Sequence, residues 1–223
     1  MQQHQLRRVG VAAVALVVLA ACDGDDEPPV TAQPSATIVT HMNAEEVAAQ
    51  FVAALGDFDV ERAVTYLSDD PALAELVGSM GTQGVQGTQE ELRLFISLLE
   101  AQRYRQVLDT CREAGTSTAG TRVSCSFDYH LFGSDEIGLG PYSGSYFDLT
   151  VRDGEVVQGS VSYVIERFSP EMWEPFAEWV STTHPDDAAV MYTDGTYSGV
   201  RISEESIRLW ERHVRGYVDA VGG

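Results

Sequence analysis

The spacing of apolar residues changes part-way along the chain, near residue 104. Before it they recur every three or four positions; after it they alternate. In the first half Val47, Phe51, Ala54 and Leu55 fall on one side of a helix. Asn43 and Glu46 are spaced to open it as a capping box, and Gly56 ends it. Asp59 caps a second short helix carrying Val60, Val64 and Leu67, and Asp70-Pro71 starts a third with Leu73, Leu76 and Val77. A Gly-rich loop over residues 78–87 follows. Thr88 and Glu91 form another capping box, ahead of Leu92, Phe95, Ile96 and Leu99. Residues 105–113 and 121–132 then read as two strands, and 144–151 and 156–165 as two more around Asp153-Gly154, a hairpin-turn dipeptide. Ser169-Pro170 begins a second helical region that Pro175 should kink or divide, with Trp173, Phe176, Trp179 and Val180 on its buried side. A turn near Asp194-Gly195 precedes a last helix over about 204–219, capped by Ser203, whose Ile207, Trp210, Val214, Tyr217 and Val218 make a core stripe. Helices, then hairpins, then helices predict an α+β fold: N-terminal helices on one face of an antiparallel sheet, with extra C-terminal helices.

The first 42 residues follow different rules. Arg7 and Arg8 precede an apolar run, residues 9–21, which as a helix would rise only about 20 Å, short of the roughly 30 Å hydrocarbon core. Leu19-Ala20-Ala21-Cys22 resembles the bacterial lipobox in all four positions. The resemblance implies a signal peptide over 1–21, cleaved before a Cys22 whose sulfur carries diacylglycerol, with palmitate-type chains. It implies an anchor in the cell membrane that holds the rest on the extracytoplasmic face. Residues 22–42, with Pro28, Pro29, Pro34 and the acidic DGDDE, read as a flexible tether, and 43–223 as a single domain.

Charge narrows the partners. The chain of 223 residues has 34 acids against 14 basic residues, all of them Arg, for a net charge of -20. Such a surface repels nucleic-acid phosphates and anionic lipid headgroups, so neither is an expected partner. The other two cysteines, Cys111 and Cys125, lie equally far from the loop centre at Thr118 and so face each other across the first hairpin. In an exported domain they are expected to form a disulfide.

The stretches AEEVAAQFVAALGDFDVERAVTYLSDD and YFDLTVRDGEVVQGSVSYVI resemble the NTF2-like superfamily, SnoaL-like domains included, over roughly residues 43–168. That resemblance implies a sheet curved into a cone around a cavity closed by the helices. It selects no chemistry, because the superfamily hosts dehydratases, isomerases and cyclases as well as binding modules. Period-two geometry puts Asp128 and His130 on one face with Ser126, Thr110 and Leu108, and Tyr146 and Asp148 on one face with Tyr163. If these faces coincide, Asp128, His130, Tyr146, Asp148 and Tyr163 form the pocket, with His130 shuttling a proton, Asp128 orienting it and tyrosine holding an oxyanion. The Val107, Phe127, Tyr129 face, which also carries the cysteines, reads as the core side.

No motif calls for a cofactor or metal. The Gly-rich loop lacks the lysine of a phosphate loop, there is no HExxH, and the paired acids lack calcium-loop spacing. His184 reads as a helix end and His213 as a helix surface. These readings favour a membrane-anchored module, not an enzyme, that binds a small apolar ligand or an envelope protein. The alternatives are a cofactor-independent dehydratase or isomerase and a structural homodimer.

Overall fold

The computed structural model describes residues 42–68, 70–79, 89–193 and 199–222. The signal peptide, Cys22 and nearly all of the tether lie outside the described residues. So do the Gly-rich loop from residue 80 on, Thr88, the side chains of Leu73 and Val77, and the turn at Asp194-Gly195.

Helix α1, Ala44–Gly56, opens as its sequence predicts: Asn43 Oδ1 accepts from Glu46 N at 2.9 Å, and Asn43 N donates to Glu46 Oε2 at 2.9 Å. Its buried face, Val47, Ala48, Phe51, Val52, Ala54 and Leu55, lies across the sheet. Helices α2 (Val60–Val64), α3 (Asp70–Ser79) and α4 (Gln89–Ala101) complete the first helical group, α3 packing on the last strand. The strands β1 (Arg105–Ser117), β2 (Gly120–His130), β3 (Tyr142–Arg152) and β4 (Glu155–Ser162) pair antiparallel in the order β1-β2-β3-β4. Asp153 and Gly154 both take positive φ, 55° and 85°, as a two-residue hairpin turn requires.

The expected cone is not there. The described sheet is an open four-stranded meander whose outer strands, β1 and β4, do not meet, so it is neither curved nor closed into a cone. Four strands are too few to close on themselves, since even small closed barrels use about eight. The edge at β4 is instead covered by main chain: Ser68 N donates to Val156 O at 3.1 Å and Val156 N to Tyr66 O at 2.7 Å.

One face of the sheet is apolar. Val123, Cys125, Phe127 and Tyr129 of β2 alternate inward, beside Phe147, Leu149 and Val151 of β3 and Val156 and Val161 of β4. Cys111 lies opposite Cys125 in the register, and the two are bonded with S–S 2.00 Å. The inward assignment of Val107 is corrected. A bulge between Leu108 and Thr110 inserts one residue, so Leu108 pairs Phe127 on the core side and Val107 pairs Asp128 on the outer side, where it is 59% exposed.

Gly120 starts β2 at φ 143°, and a Cβ there would stand 2.5 Å from Val151 O. Both backbone conformation and space exclude a side chain, so Gly120→Ala is expected to cost about 1–3 kcal/mol in denaturant unfolding.

The C-terminal residues form a second layer of core. A π-helical turn, Ser169–Trp173, runs into α5, Glu174–Thr183, with Pro175 in the first turn, where no amide hydrogen is needed. Then come α6, Pro185–Met191, and α7, Glu204–Val221, opened by Ser203 as the sequence predicts. Phe132, Trp173, Phe176 and Trp210 stack among themselves, and Phe168 joins them to Tyr129 and Tyr142 of the sheet. Among the described residues no helix is long and apolar enough to cross a membrane.

Candidate functional site

The five residues expected to share one pocket are distributed over three places. Asp128, Tyr146 and Asp148 lie on the outer face of the sheet. Tyr146 is 41% exposed opposite Ser126, and Asp148 accepts from Arg122 Nε at 3.0 Å. His130 ends β2 in the outer register, opposite Arg105, yet is buried, because the β2–β3 connection folds over it. Its Nδ1 lies 3.1 Å from Ser134 Oγ, so the group that orients it is Ser134 rather than Asp128. Tyr163, just past the end of β4, packs on the opposite, apolar face, its ring 5.7 Å from Phe127 and 5.2 Å from Tyr129.

Tyr163 brings together a group of phenols that the alternating pattern alone does not reveal. Tyr104 sits between α4 and β1, 6.4 Å from both Tyr163 and Tyr129, ring to ring. Its hydroxyl donates to Gln106 Oε1 at 2.8 Å, while Gln106 Nε2 donates to Val52 O at 2.7 Å, which fixes the amide against α1. The Tyr104 and Tyr163 rings meet edge to face, and each phenol shifts the proton affinity of the other. Tyr129 donates to Val164 O at 3.1 Å, and Val164 N donates to Ser145 Oγ at 3.0 Å. These two bonds pin the segment that carries Tyr163 to the sheet. Beyond Tyr129, the Tyr142 ring lies 5.4 Å away, with its hydroxyl buried and lacking a hydrogen-bond partner. A Cβ on Gly140 would stand 3.0 Å from His130 Nδ1 and 3.4 Å from Tyr142 Cε2, so the imidazole and the phenol flank the same glycine.

Electrostatics keep these phenols neutral. Burial in aromatic surroundings pushes Tyr163 up to about 12, although the Tyr104 hydroxyl pulls the other way. Burial also raises Tyr104 well above the ordinary phenol value, and the neighbouring Tyr163 adds to it. Tyr129 is raised by burial and by Tyr163, and Tyr142 by burial and by Glu171, partly offset by Arg167. A neutral phenol in low dielectric is a hydrogen-bond donor aimed without water's competition. Tyr163 is partly exposed and is followed by the exposed apolar residues Val164 and Ile165, so the cluster reaches the surface there. Tyr104 and Tyr142 are the members missed from sequence; Tyr104 follows α4 directly, and an aromatic residue at a helix–strand junction reads as ordinary packing.

No family model matches the chain, and no curated protein matches it by sequence. The similarity found is to solved structures and is distant. A candidate polyketide cyclase from Pseudomonas putida KT2440 is 16% identical, covering 58% of this chain and 98% of its own, with a TM-score of 0.41. Another, from Silicibacter sp. TM1040, is 19% identical over 56% of this chain and 92% of its own, with a TM-score of 0.41. An NTF2-like protein of unknown function from Cytophaga hutchinsonii is 15% identical over 55% of this chain and 91% of its own, with a TM-score of 0.37. At these identities and TM-scores the likeness is a loose one of fold alone. The expectation that the domain is not an enzyme is corrected to this extent: four of the similar structures are named as candidate polyketide cyclases, which is said of those proteins.

Proposed function

We propose that the domain is a cofactor-independent enzyme of the isomerase or dehydratase type, acting on a small carbonyl compound whose oxygen is held by Tyr163. The observation that carries this reading is the pair of desolvated phenols, Tyr104 and Tyr163, beside the exposed apolar residues Val164 and Ile165. Such a reaction develops negative charge on the carbonyl oxygen. Neutral donors fixed in a dry setting stabilise that charge without having to reorganise. In the resting state the Tyr104 proton goes to Gln106. When a ligand oxygen takes the Tyr163 proton, the Tyr104 hydroxyl turns to donate to Tyr163, so two phenols share the charge.

His130, on the other face of the sheet, is not placed to take a proton from a substrate whose oxygen Tyr163 holds, so this reading assigns it no role.

The test uses 2-tetralone in D2O, following exchange of its α-protons by NMR. Parent protein should accelerate exchange over buffer, and Tyr163→Phe should lose about 10²-fold of that acceleration. Exchange at the buffer rate, or an unchanged rate in Tyr163→Phe, contradicts the assignment.

We further propose that this chemistry takes place on the extracytoplasmic face of the cell membrane, the chain being held by lipid on Cys22. The lipobox-like Leu19-Ala20-Ala21-Cys22 supports this. Cys22→Ala should abolish metabolic labelling with palmitate and leave the precursor uncleaved; labelling that persists contradicts the anchor.

A further inference from the structure

The α5–α6 corner and α7 bring together three side chains that the sequence keeps far apart. His184 is the single residue between the two helices: its backbone N–H closes α5 on Val180 O, and its carbonyl receives Ala188 N at 3.0 Å. Pro185 then turns the chain so that Asp187, in the first turn of α6, faces α7. There His213, from the buried face of α7, puts Nε2 2.7 Å from Asp187 Oδ2. The His184 and His213 rings lie 4.5 Å apart at 36°, and Trp179 stands edge-on to both at 5.5 and 6.2 Å. One donor atom from each of His184, Asp187 and His213 lies within 4.8 Å of the others.

We propose that His184, Asp187 and His213 form a three-ligand site for a first-row divalent cation of the zinc class, with a fourth position open to solvent on the His184 side. The donor set is two imidazoles and one carboxylate, a combination used for such ions with water as the remaining ligand. Tetrahedral geometry at metal–ligand distances near 2.0–2.1 Å sets donor atoms about 3.3 Å apart. The present spacing reaches that by side-chain rotation alone: His184 is exposed and can swing in, and the Asp187–His213 contact opens slightly as the ion replaces the shared proton. Burial lowers the proton affinity of His213, which leaves its imidazole neutral and able to ligate, whereas the Asp187 hydrogen bond works the other way. Arg212 Nη1, 3.6 Å from Asp187 Oδ2, is the one cation paired with that carboxylate among the described ion pairs. It is exposed and can move aside. The bound ion would tie the corner between α5 and α6 to the middle of α7.

The test is isothermal titration of the full chain with ZnCl2 in a non-coordinating buffer. The chain carries Cys22→Ser, so that no free thiol competes. One equivalent should bind tightly, above the weak background of a chain with 34 acids. The exposed His184→Ala and the partly exposed Asp187→Asn changes should each weaken that event at least tenfold. Co2+ should give the visible absorption of a four-coordinate ion, lost in both variants. Only weak binding at many equivalents, or tight binding that both variants retain, overturns the site.

Discussion

Trp210→Ala is expected to destabilise the domain by about 3–5 kcal/mol, the largest effect of any single truncation considered. Trp210 is fully buried and stacks on Phe132 at 5.4 Å and Phe176 at 5.4 Å, with Trp173 and Tyr192 around it. Phe132 belongs to the β2–β3 connection and Phe176 to α5, so one indole joins the C-terminal helices to the sheet. Removing it leaves a cavity walled by rigid rings, which collapse poorly. For a domain whose total stability is of order 5–15 kcal/mol, that is a large share. Trp210→Phe separates volume from polarity. The indole Nε1 is buried without a hydrogen-bond partner. Phenylalanine keeps most of the stacking and removes the unpaired donor, so the cost should fall well below that of alanine. Denaturant midpoints of the two variants against the parent measure this. Equal losses for Ala and Phe would place the contribution elsewhere than in the aromatic stack.

Reducing the Cys111–Cys125 bond is expected to cost about 3 kcal/mol, the value for closing a loop of roughly fifteen residues. The bond spans 14 residues and sits in the middle of the β1–β2 register. Without it the unfolded hairpin regains the freedom the crosslink removes. Comparing guanidinium unfolding of the parent with and without reductant avoids the cavity that replacing the buried Cys125 would create. Coincident midpoints would mean that strand pairing alone holds the hairpin.

The sequence carried the elements well because local chemistry decides them. Asn43 with Glu46, Ser203 ahead of α7, and Asp153-Gly154 each act on their own few residues, and each appears as read. The expected cysteine pairing is present, but not by distance to the turn alone: the turn is Thr118-Ala119, and a register shift between Glu113 and Gly115 supplies the one residue that brings Cys111 opposite Cys125. What failed was the phase beyond the bulge at Asp109. A single inserted residue exchanges the faces of Val107 and Leu108, and nothing in a single sequence marks it. The cone was inferred from resemblance, and four open strands do not make one. The candidate pocket split for the same physical reason: Tyr163 lies past the end of β4, where strand alternation no longer governs direction, and His130 is covered by a connection whose path no periodicity predicts. His184, Asp187 and His213 were invisible because their meeting depends on how α5, α6 and α7 pack, and each alone reads as an ordinary helix-end or helix-surface residue.

The functional account depends on Tyr104 and Tyr163 being neutral, desolvated donors. Phenols whose folded pKa is raised stabilise the domain fully below the unfolded value near 10, and that contribution is lost as pH climbs through the folded value. NMR titration of protein labelled with carbon-13 at the tyrosine ζ position, assigned with Tyr104→Phe and Tyr163→Phe, reads those protons directly. The Tyr163 signal should keep the chemical shift of the neutral phenol past pH 11, with a midpoint near 12. A Tyr163 that ionises at pH 10 or below in the folded protein would contradict the account.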